Sequence, residues 1–250
     1  MKRAVVIGAS SGIGRQVAQL LAQDGWNVGI AARRIKALED LKRIAPDRIF
    51  TAEIDVTAEE APRKLLSLIN ELDGMQLFFY ASGIGWQNRD LEAEKELATL
   101  ETNATGFTRM VGTAFRYFAE NAGGHIAVIS SIAGTKGLGP APAYSATKAL
   151  QNTYIEALEQ LAHMRKLNIS FTDIRPGFVD TPLLHPAVPS RQASESTFHY
   201  PMLLSSHFVA KQIIKAIYKK KHVIVVDWRW RIITSLWRYI PRIIWRRIPL

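Results

Sequence analysis

The 250-residue sequence contains no cysteine, which excludes disulfide bonds and thiolate metal centres. It contains no apolar run long enough to cross a bilayer. Its histidines and carboxylates form no metal-ligand cluster, so we predict no metal. The first residues, MKRAVVIGAS, enter a predicted strand at once and leave no room for a signal peptide. We therefore expect a cytoplasmic protein.

Acidic residues are scarce at the carboxyl end of the chain. Residues 211–250 hold 11 of the 32 basic residues and one of the 22 acidic ones, Asp227. The formal net charge of the whole chain is +10, so the first 210 residues are neutral on balance. The excess charge predicts an anionic partner for the end of the chain and not a basic catalytic domain.

Apolar strands that alternate with helices predict an α/β fold with one doubly wound, Rossmann-type domain. We expect about seven parallel strands with helices on both faces, and a domain that spans residues 1–226. The predicted strands are 3–7, 27–32, 48–54, 76–81, 125–130, 168–174 and 222–226. The predicted helices follow the first strand to about residue 24 and then span about 34–44, 57–72, 91–121, 143–165 and 206–220. Thr57 and Glu60 have the spacing of a capping box for the third helix.

A glycine-rich loop follows the first predicted strand and opens the first helix. Its pattern, Gly8-x-x-x-Gly12-x-Gly14, allows a tight turn, a close approach of backbone to a pyrophosphate and close packing of helix on strand. An NAD site places a carboxylate at the end of the second strand, whereas this strand ends in Arg33 and Arg34. Two guanidinium groups, with Ser10 beside them, favour a 2′-phosphate and therefore NADP(H), although one of the arginines could be a solvated helix start.

The segment from His125 to Lys148 combines a strand, a loop rich in Gly and Pro, and a helix. Tyr144 and Lys148 lie four residues apart, so a helix places them on one face, and Ser131 ends the strand. A neighbouring cation should lower the pKa of the phenol, which would make Tyr144 usable for acid–base chemistry on a carbonyl group.

Taken together, these motifs resemble the short-chain dehydrogenase/reductase family over residues 3–226. The resemblance is carried by the glycine loop, Asp55, Asn103, Ser131, the Tyr144/Lys148 pair and Pro176-Gly177. One departure follows the fourth strand, where the family usually has Asn-Asn-Ala-Gly and this chain has Tyr80-Ala81-Ser82-Gly83.

The resemblance implies an oxidoreductase with a catalytic set of Asn103, Ser131, Tyr144 and Lys148. Tyr144 would be the general acid/base, and Lys148 would lower its pKa and hold the nicotinamide ribose. Ser131, rather than Ser130, would position the substrate oxygen, and Asn103 would hold a water that links Lys148 to solvent. A mid-helix Asn103 could instead have a structural role. We expect NADPH-dependent reduction of an apolar, lipid-like ketone or aldehyde to an alcohol; the alternative is a non-catalytic NADP-binding sensor or interaction protein.

The resemblance also implies a set of residues around the cofactor. Asp55 would accept a hydrogen bond from the adenine amine, although it could also be a helix cap. The predicted cofactor-binding residues are Gly8, Ser10, Ser11, Gly12, Ile13, Gly14, Arg33, Arg34, Asp55, Val56, Ser82, Gly83, Tyr144, Lys148, Pro176, Gly177, Val179 and Thr181.

Two segments bear on the substrate and on partners. Residues 182–205 lack periodicity, and their apolar side chains indicate an apolar pocket, although each could equally pack on the sheet: Leu183, Leu184, Phe198, Tyr200, Met202 and Leu203. The C-terminal tail, residues 228–250, interleaves four Trp with six Arg, and Pro241 should break its helix. We expect the tail to bind an anionic membrane surface at the inner face; a dimer arm and a lid over the substrate mouth are the alternatives, and a nucleic-acid partner is disfavoured. The family resemblance implies a homo-oligomer, in keeping with dimeric or tetrameric relatives.

Overall fold

A computed structural model describes residues 2–184 and 200–248. Its centre is a seven-stranded parallel sheet with the strand order β3-β2-β1-β4-β5-β6-β9. This is the doubly wound α/β architecture that the sequence predicts. The strands are β1 Arg3–Ile7, β2 Asn27–Ala32, β3 Ile49–Glu53, β4 Leu77–Tyr80, β5 Gly124–Ile129, β6 Ile169–Arg175 and β9 Val223–Val225; β7 Val179–Asp180 and β8 Leu204–Ser205 pair separately.

Helices cover both faces of the sheet because the side chains of its strands alternate between two apolar layers. In β1, Ala4 and Val6 enter one layer, and Val5 and Ile7 enter the other. The first layer is covered by α1 Gly12–Gln23, α2 Ile35–Lys42 and α7 Ser206–Tyr218. The second is covered by α3 Ala61–Glu71, α5 Phe107–Glu120 and α6 Pro142–Met164.

The third helix starts later than the sequence predicts, so the proposed capping box is wrong. Helix α3 begins at Ala61 with Glu60 as its N-cap, and no side chain caps it. Thr57 instead donates both its backbone N–H and its hydroxyl to Asp55. The Asx turn closed in this way delays the helix by one turn.

The predicted helical region 91–121 consists of three consecutive pieces. Helix α4 Ala93–Leu100 continues into a π-helix, Glu101–Gly106, and then into α5. The wider turn of a π-helix is a local insertion that often occurs at functional sites. Here it contains Asn103.

The tail forms two short helices, α8 Trp228–Trp237 and α9 Arg242–Trp245. Pro241 is the N-cap residue of α9, so the predicted break is present. Among residues 2–184 and 200–248, no helix is both long and apolar enough to span a bilayer.

Candidate active site

The carboxyl ends of four parallel strands meet at one edge of the sheet, and each leads into a predicted site segment. Strand β1 leads to the glycine loop, β4 to residues 81–85, β5 to Ser131 and β6 to Pro176. The strand order changes direction between β1 and β4, which is where ligands bind in open α/β sheets.

Two of the loop glycines have positions that a side chain would obstruct. Gly8 has φ +87°, and a Cβ there would lie 2.6 Å from the backbone nitrogen of Ser82. A Cβ on Gly14 would lie 2.4 Å from the carbonyl oxygen of Gly8. Glycine at both positions therefore lets the turn close tightly and brings α1 against β1.

The amino end of α1 opens toward this edge. The helix begins at Gly12, and its N-cap, Ser11, makes no side-chain cap among the described residues. A Cβ on Gly12 would lie 3.1 Å from the methyl group of Thr181, so the loop after β6 stands beside the start of the helix. Backbone N–H groups at a helix start, without a Cβ in front of them, are a site for phosphate. Ile13, one residue further, packs on the core.

The two arginines after β2 have different neighbours. Arg34 donates from Nη2 to the hydroxyls of Ser10 (3.0 Å) and Ser11 (3.1 Å). It therefore lies over the glycine loop with its charge next to the helix start. Arg33 is exposed and is close enough to Asp55 to favour its carboxylate.

Asp55 lies in the turn after β3. Burial opposes its ionisation, but hydrogen bonds from Thr57 and the charges of Arg33 and Lys64 leave its pKa below the ordinary value. It is therefore ionised at neutral pH and is available as an acceptor. Val56 beside it is buried, and its carbonyl accepts a hydrogen bond from Arg109 (3.0 Å).

The departure from the family pattern at residues 80–83 has a clear packing explanation. Tyr80 is fully buried and faces Phe107 edge-on at 5.3 Å between ring centroids. The aromatic ring thus fills the second apolar layer. Ser82 and Gly83 follow at the sheet edge, where Gly83 lies against Asn103: a Cβ there would be 3.3 Å from Asn103 Oδ1.

Ser130 and Ser131 point to different surroundings. The hydroxyl of Ser130 donates to Asp173 and to the carbonyl of Ile174, inside the sheet. Ser131 starts a 3₁₀ helix, Ile132–Thr135, accepts from the N–H of Ala133, and hydrogen-bonds to Tyr144. The structure thus places Ser131, and not Ser130, beside the phenol.

The phenol of Tyr144 is not made more acidic by Lys148 in this structure, which corrects the expectation from the sequence. Burial raises the pKa of Tyr144, and the hydrogen bond with Ser131 opposes this rise. The Nζ of Lys148 lies 5.7 Å from the centroid of the phenol ring, so the two groups are neighbours. Desolvation by burial outweighs the other influences, and Tyr144 is a protonated acid at neutral pH.

Lys148 is buried in the same helix. Its ammonium donates to the carbonyl of Ile129 (3.1 Å) and to Oε1 of Gln151 (2.9 Å). Burial lowers the pKa of Lys148 to about 8, and the nearby charge of Asp173 opposes that fall. The side chain is therefore mostly charged at neutral pH.

Asn103 joins the π-helix to the loop after β4. Its side-chain amide donates to the carbonyl of Ile84 (2.7 Å), and its Oδ1 accepts from the N–H of the same residue (2.9 Å). Its backbone carbonyl accepts from Nε2 of Gln151 (2.8 Å). Gln151 thus links Asn103 to Lys148 through its side-chain amide.

The segment after β6 lies at the same edge of the sheet. The carbonyl of Pro176 accepts from the N–H of Ile132 (3.1 Å), which joins this segment to the turn after Ser131. Val179 is buried in the small β7–β8 sheet, and Thr181 donates to its carbonyl (3.2 Å). Gly177 packs under Trp230 of the tail. A Cβ at this position would lie 2.2 Å from the indole nitrogen, so only glycine leaves room for the ring.

The tail packs against the connection between Ser131 and Tyr144. Trp237 donates from its indole to Thr135 (2.9 Å), and Trp245 donates to the carbonyl of Gly137 (2.8 Å). Lys136 donates to the carbonyl of Ile240 (2.8 Å) and lies over the ring of Trp245. A cavity of about 390 Å³ lies there, and its lining includes Pro140, Trp245 and Ile248 together with Arg89 and Arg246.

Part of the predicted substrate region can be placed. Tyr200 packs on Phe178 with ring centroids 5.1 Å apart, whereas Leu183 and Leu203 are exposed. Phe198 lies outside the described residues.

The sequence analysis missed two residues of the site. Gly85 lies against the ring of Tyr144, since a Cβ there would be 2.5 Å from Cδ2. Gln151 bridges Lys148 and Asn103, and its position seven residues after Tyr144 is the signal that could have found it.

A nicotinamide dinucleotide fits these residues. The uncapped start of α1 and the cradle of Gly8, Gly12 and Gly83 suit a pyrophosphate and its ribose, and the Tyr144 phenol lies at the other end of the edge. Fold and site together define an oxidoreductase of the Rossmann type.

Comparison with known proteins names the family. The short chain dehydrogenase family model matches residues 2–192, and the chain belongs to that family. A relative from Myxococcus xanthus, described as an uncharacterized oxidoreductase, is 30% identical over 246 residues, which cover 96% of this chain and 93% of the relative. A short-chain dehydrogenase/reductase from Burkholderia phymatum, solved with NAD, has a TM-score of 0.83 at 20% identity and covers 100% of this chain and 96% of its own. An alcohol dehydrogenase from Thermococcus sibiricus, solved with 5-hydroxy-NADP, has a TM-score of 0.77 at 21% identity, with 90% and 96% covered.

Proposed function

We propose that this protein reduces a ketone or aldehyde on an apolar substrate to the alcohol, with NADPH as reductant and Tyr144 as proton donor. The observation that carries the proposal is the position of the Tyr144 phenol, which hydrogen-bonds to Ser131 and whose ring centroid lies 5.7 Å from the Lys148 ammonium. A hydroxyl, a phenol and an ammonium at one point suit a carbonyl oxygen that gains a proton.

The chain's own residues would act in a simple sequence. Ser131 holds the carbonyl oxygen by a hydrogen bond and so places it against the phenol. Reduced nicotinamide, when bound, supplies the hydride for the carbonyl carbon. Tyr144 gives its proton to the oxygen as charge develops there, which completes the alcohol, and the hydrogen bond with Ser131 stabilises the phenolate that remains.

At neutral pH, Tyr144 is in the protonation state that a proton donor requires. Burial raises its pKa, so the phenol carries its proton at neutral pH. A protonated phenol is the form that donates to a carbonyl, whereas alcohol oxidation needs the phenolate as a base.

The choice of NADPH rests on Arg34. Its guanidinium hydrogen-bonds to the hydroxyls of Ser10 and Ser11, at the end of β2 where an NAD site has a carboxylate. The three side chains form a cationic, donor-rich pocket suited to a 2′-phosphate. Arg33, which faces Asp55 instead, would contribute on the adenine side.

The test is NADPH oxidation with a panel of long-chain 3-oxo compounds and aldehydes, followed by absorbance at the reduced nicotinamide band. We expect one alcohol formed for each NADPH consumed, and faster turnover with apolar chains than with short polar ketones. NADPH binding without turnover on any carbonyl would instead favour the non-catalytic sensor.

We also propose that the tail binds an anionic membrane surface. Its inner residues, Trp230 and Trp237, pack on the enzyme, whereas Trp228, Ile232 and Leu236 follow each other at helical spacing on the outer face of α8 and are more than half exposed. Tyr239 and Ile243 extend this exposed apolar set. Arginines lie among these side chains, and the carboxyl-terminal region carries the whole net charge of the protein. Apolar side chains beside arginine suit the boundary between headgroups and acyl chains.

Liposome flotation tests the membrane proposal. The double variant Ile232→Asp/Leu236→Asp should bind vesicles of phosphatidylglycerol and phosphatidylcholine at least about tenfold more weakly, because two apolar side chains no longer enter the lipid. Leu66→Asp, which changes an exposed apolar residue of α3, is the matched control. Equal flotation of the double variant would refute the proposal. A gel shift of nucleic acid by the full chain, without binding to vesicles, would favour a nucleic-acid partner instead.

A further inference from the structure

One face of helix α6 carries three polar residues in succession, Tyr144, Lys148 and Gln151. Gln151 is completely buried, and both ends of its side-chain amide are hydrogen-bonded. We infer that Gln151 is a positioning residue of the active site, which holds the Lys148 ammonium in place and ties it to the backbone of Asn103. The catalytic role of Gln151 rests on the proposed function, whereas the experiment that tests its positioning role does not.

The hydrogen bonds of the ammonium can be accounted for one by one. Lys148 has three N–H donors, of which one goes to the carbonyl of Ile129 and one to Oε1 of Gln151. No described residue accepts from the third donor, which is left for a ligand at the sheet edge, on the side where Gly83 leaves room beside Nζ: a Cβ there would still be 3.7 Å away. Gln151 therefore helps to fix the direction in which Lys148 can bind a ribose hydroxyl.

The other end of the amide reaches a second element. Nε2 of Gln151 donates to the carbonyl of Asn103 in the π-helix, and the side chain of Asn103 holds Ile84 by two hydrogen bonds. The chain of contacts runs from Lys148 through Gln151 and Asn103 to the loop after β4. An amide has fixed donor and acceptor ends, so it orients its neighbours without passing a proton between them as a water would.

Few ionisable groups face Lys148. Tyr144 lies beside it on the same helix, and Asp173 of β6 acts on it from the sheet while paired with Arg175. The π-helix and the loop after β4 present Asn103 and Gly83, neither of which ionises. A change in the uncharged Gln151 therefore acts on an ammonium with few other influences.

The direction in which a Gln151 variant shifts the pKa of Lys148 follows from the protonation state of Lys148 that Gln151 stabilises. Its Oε1 accepts a hydrogen bond from the charged ammonium, and removing this acceptor disfavours the charge and lowers the pKa of Lys148 below about 8. A carboxylate in the same place favours the charge and raises that pKa. Gln151→Met and Gln151→Glu should thus shift the titration in opposite directions, by about one pH unit each.

The experiment is a pH titration of Lys148 by NMR on the ligand-free chain labelled with ¹³C-lysine, with the resonance assigned from Lys148→Met. The matched control is Asn152→Leu, which removes a buried amide on the same helix at the next position. We expect the Lys148 midpoint near 8 in the wild type and in the control, lower in Gln151→Met and higher in Gln151→Glu. Because no turnover is required, the result does not depend on the proposed reaction.

Unchanged midpoints in both Gln151 variants would overturn the inference and reduce Gln151 to a packing residue. If Gln151→Met does not fold, the rise expected for Gln151→Glu decides alone. Where carbonyl reduction is measurable, the alkaline limb of kcat/KM should move in the same direction as the midpoint in each variant. A wild type without reductase activity, but with the two opposite shifts, would refute the proposed function and leave the positioning role intact.

Discussion

Tyr144→Phe should lower kcat for carbonyl reduction by about a thousandfold, because it removes only the oxygen that donates the proton. The ring itself lies against Gly85, and the phenylalanine keeps that contact. NADPH affinity should therefore stay within about twofold of the wild type, measured by fluorescence of the bound nicotinamide. Single-turnover kinetics at saturating NADPH would locate the loss in the chemical step.

Tyr154→Phe is the control for this change. Tyr154 belongs to the same helix, and its ring packs edge-on against Phe107 at 5.7 Å between centroids, in the core and away from Ser131. We expect nearly unchanged turnover in that variant. Full activity in Tyr144→Phe would mean that another group donates the proton, and a parallel loss of NADPH binding would mean that the phenol acts on the fold.

Arg34→Asp should reverse the choice of cofactor. A carboxylate at the end of β2 repels a 2′-phosphate and can accept from a ribose hydroxyl, so KM for NADPH should rise by about a hundredfold while KM for NADH falls or stays constant. The hydrogen bonds of Arg34 to Ser10 and Ser11 are on the surface, and the fold should tolerate their loss. Steady-state kinetics with both cofactors on one substrate measures the ratio.

Arg43→Asp makes the same change of net charge at the far end of α2, where Arg43 is exposed and pairs with Asp40. It should leave the ratio of the two cofactors unaltered. If Arg34→Asp also leaves the ratio unaltered, Arg34 does not read the 2′-phosphate, and the selectivity argued from its position is wrong.

The general fold could be predicted because its signals are local and repeated. Short apolar strands alternate with amphipathic helices, and this alone indicates a parallel sheet with two covered faces. The edge at which the site forms follows from the topology, since parallel strands share their carboxyl ends. Ser131, Tyr144 and Lys148 could therefore be brought together without coordinates.

The start of α3, the π-helix and the pKa of Tyr144 could not be predicted, because each depends on contacts that the sequence pattern does not contain. Thr57 and Glu60 have the spacing of a cap, yet the carboxylate of Asp55 binds Thr57 first and the helix starts later. The π-helix around Asn103 has no sequence signal of its own. The pKa of Tyr144 was predicted to fall because the charge of Lys148 was counted and the burial of the phenol was not.

The tail illustrates the same limit. Helical spacing alone would place Ile233, Leu236 and Trp237 on one apolar stripe. In the structure, Leu236 is exposed while Trp237 turns toward Thr135. The indole of Trp237 hydrogen-bonds to Thr135, and its ring packs against that of Trp245, so this side chain faces the protein. Helical periodicity identifies an amphipathic segment, but the partners decide which side is buried.

The attachment of the tail to Thr135, Lys136 and Gly137 has a consequence for biosynthesis. These residues belong to the connection that separates Ser131 from Tyr144, and the tail residues that contact them are synthesised 102 to 108 residues later. The sheet and its cofactor loop can form while translation continues, since domains fold from the amino terminus onward. The connection between Ser131 and Tyr144 can obtain these contacts only after residues 237–245 have been synthesised, so the sheet can form before this side of the candidate site is complete.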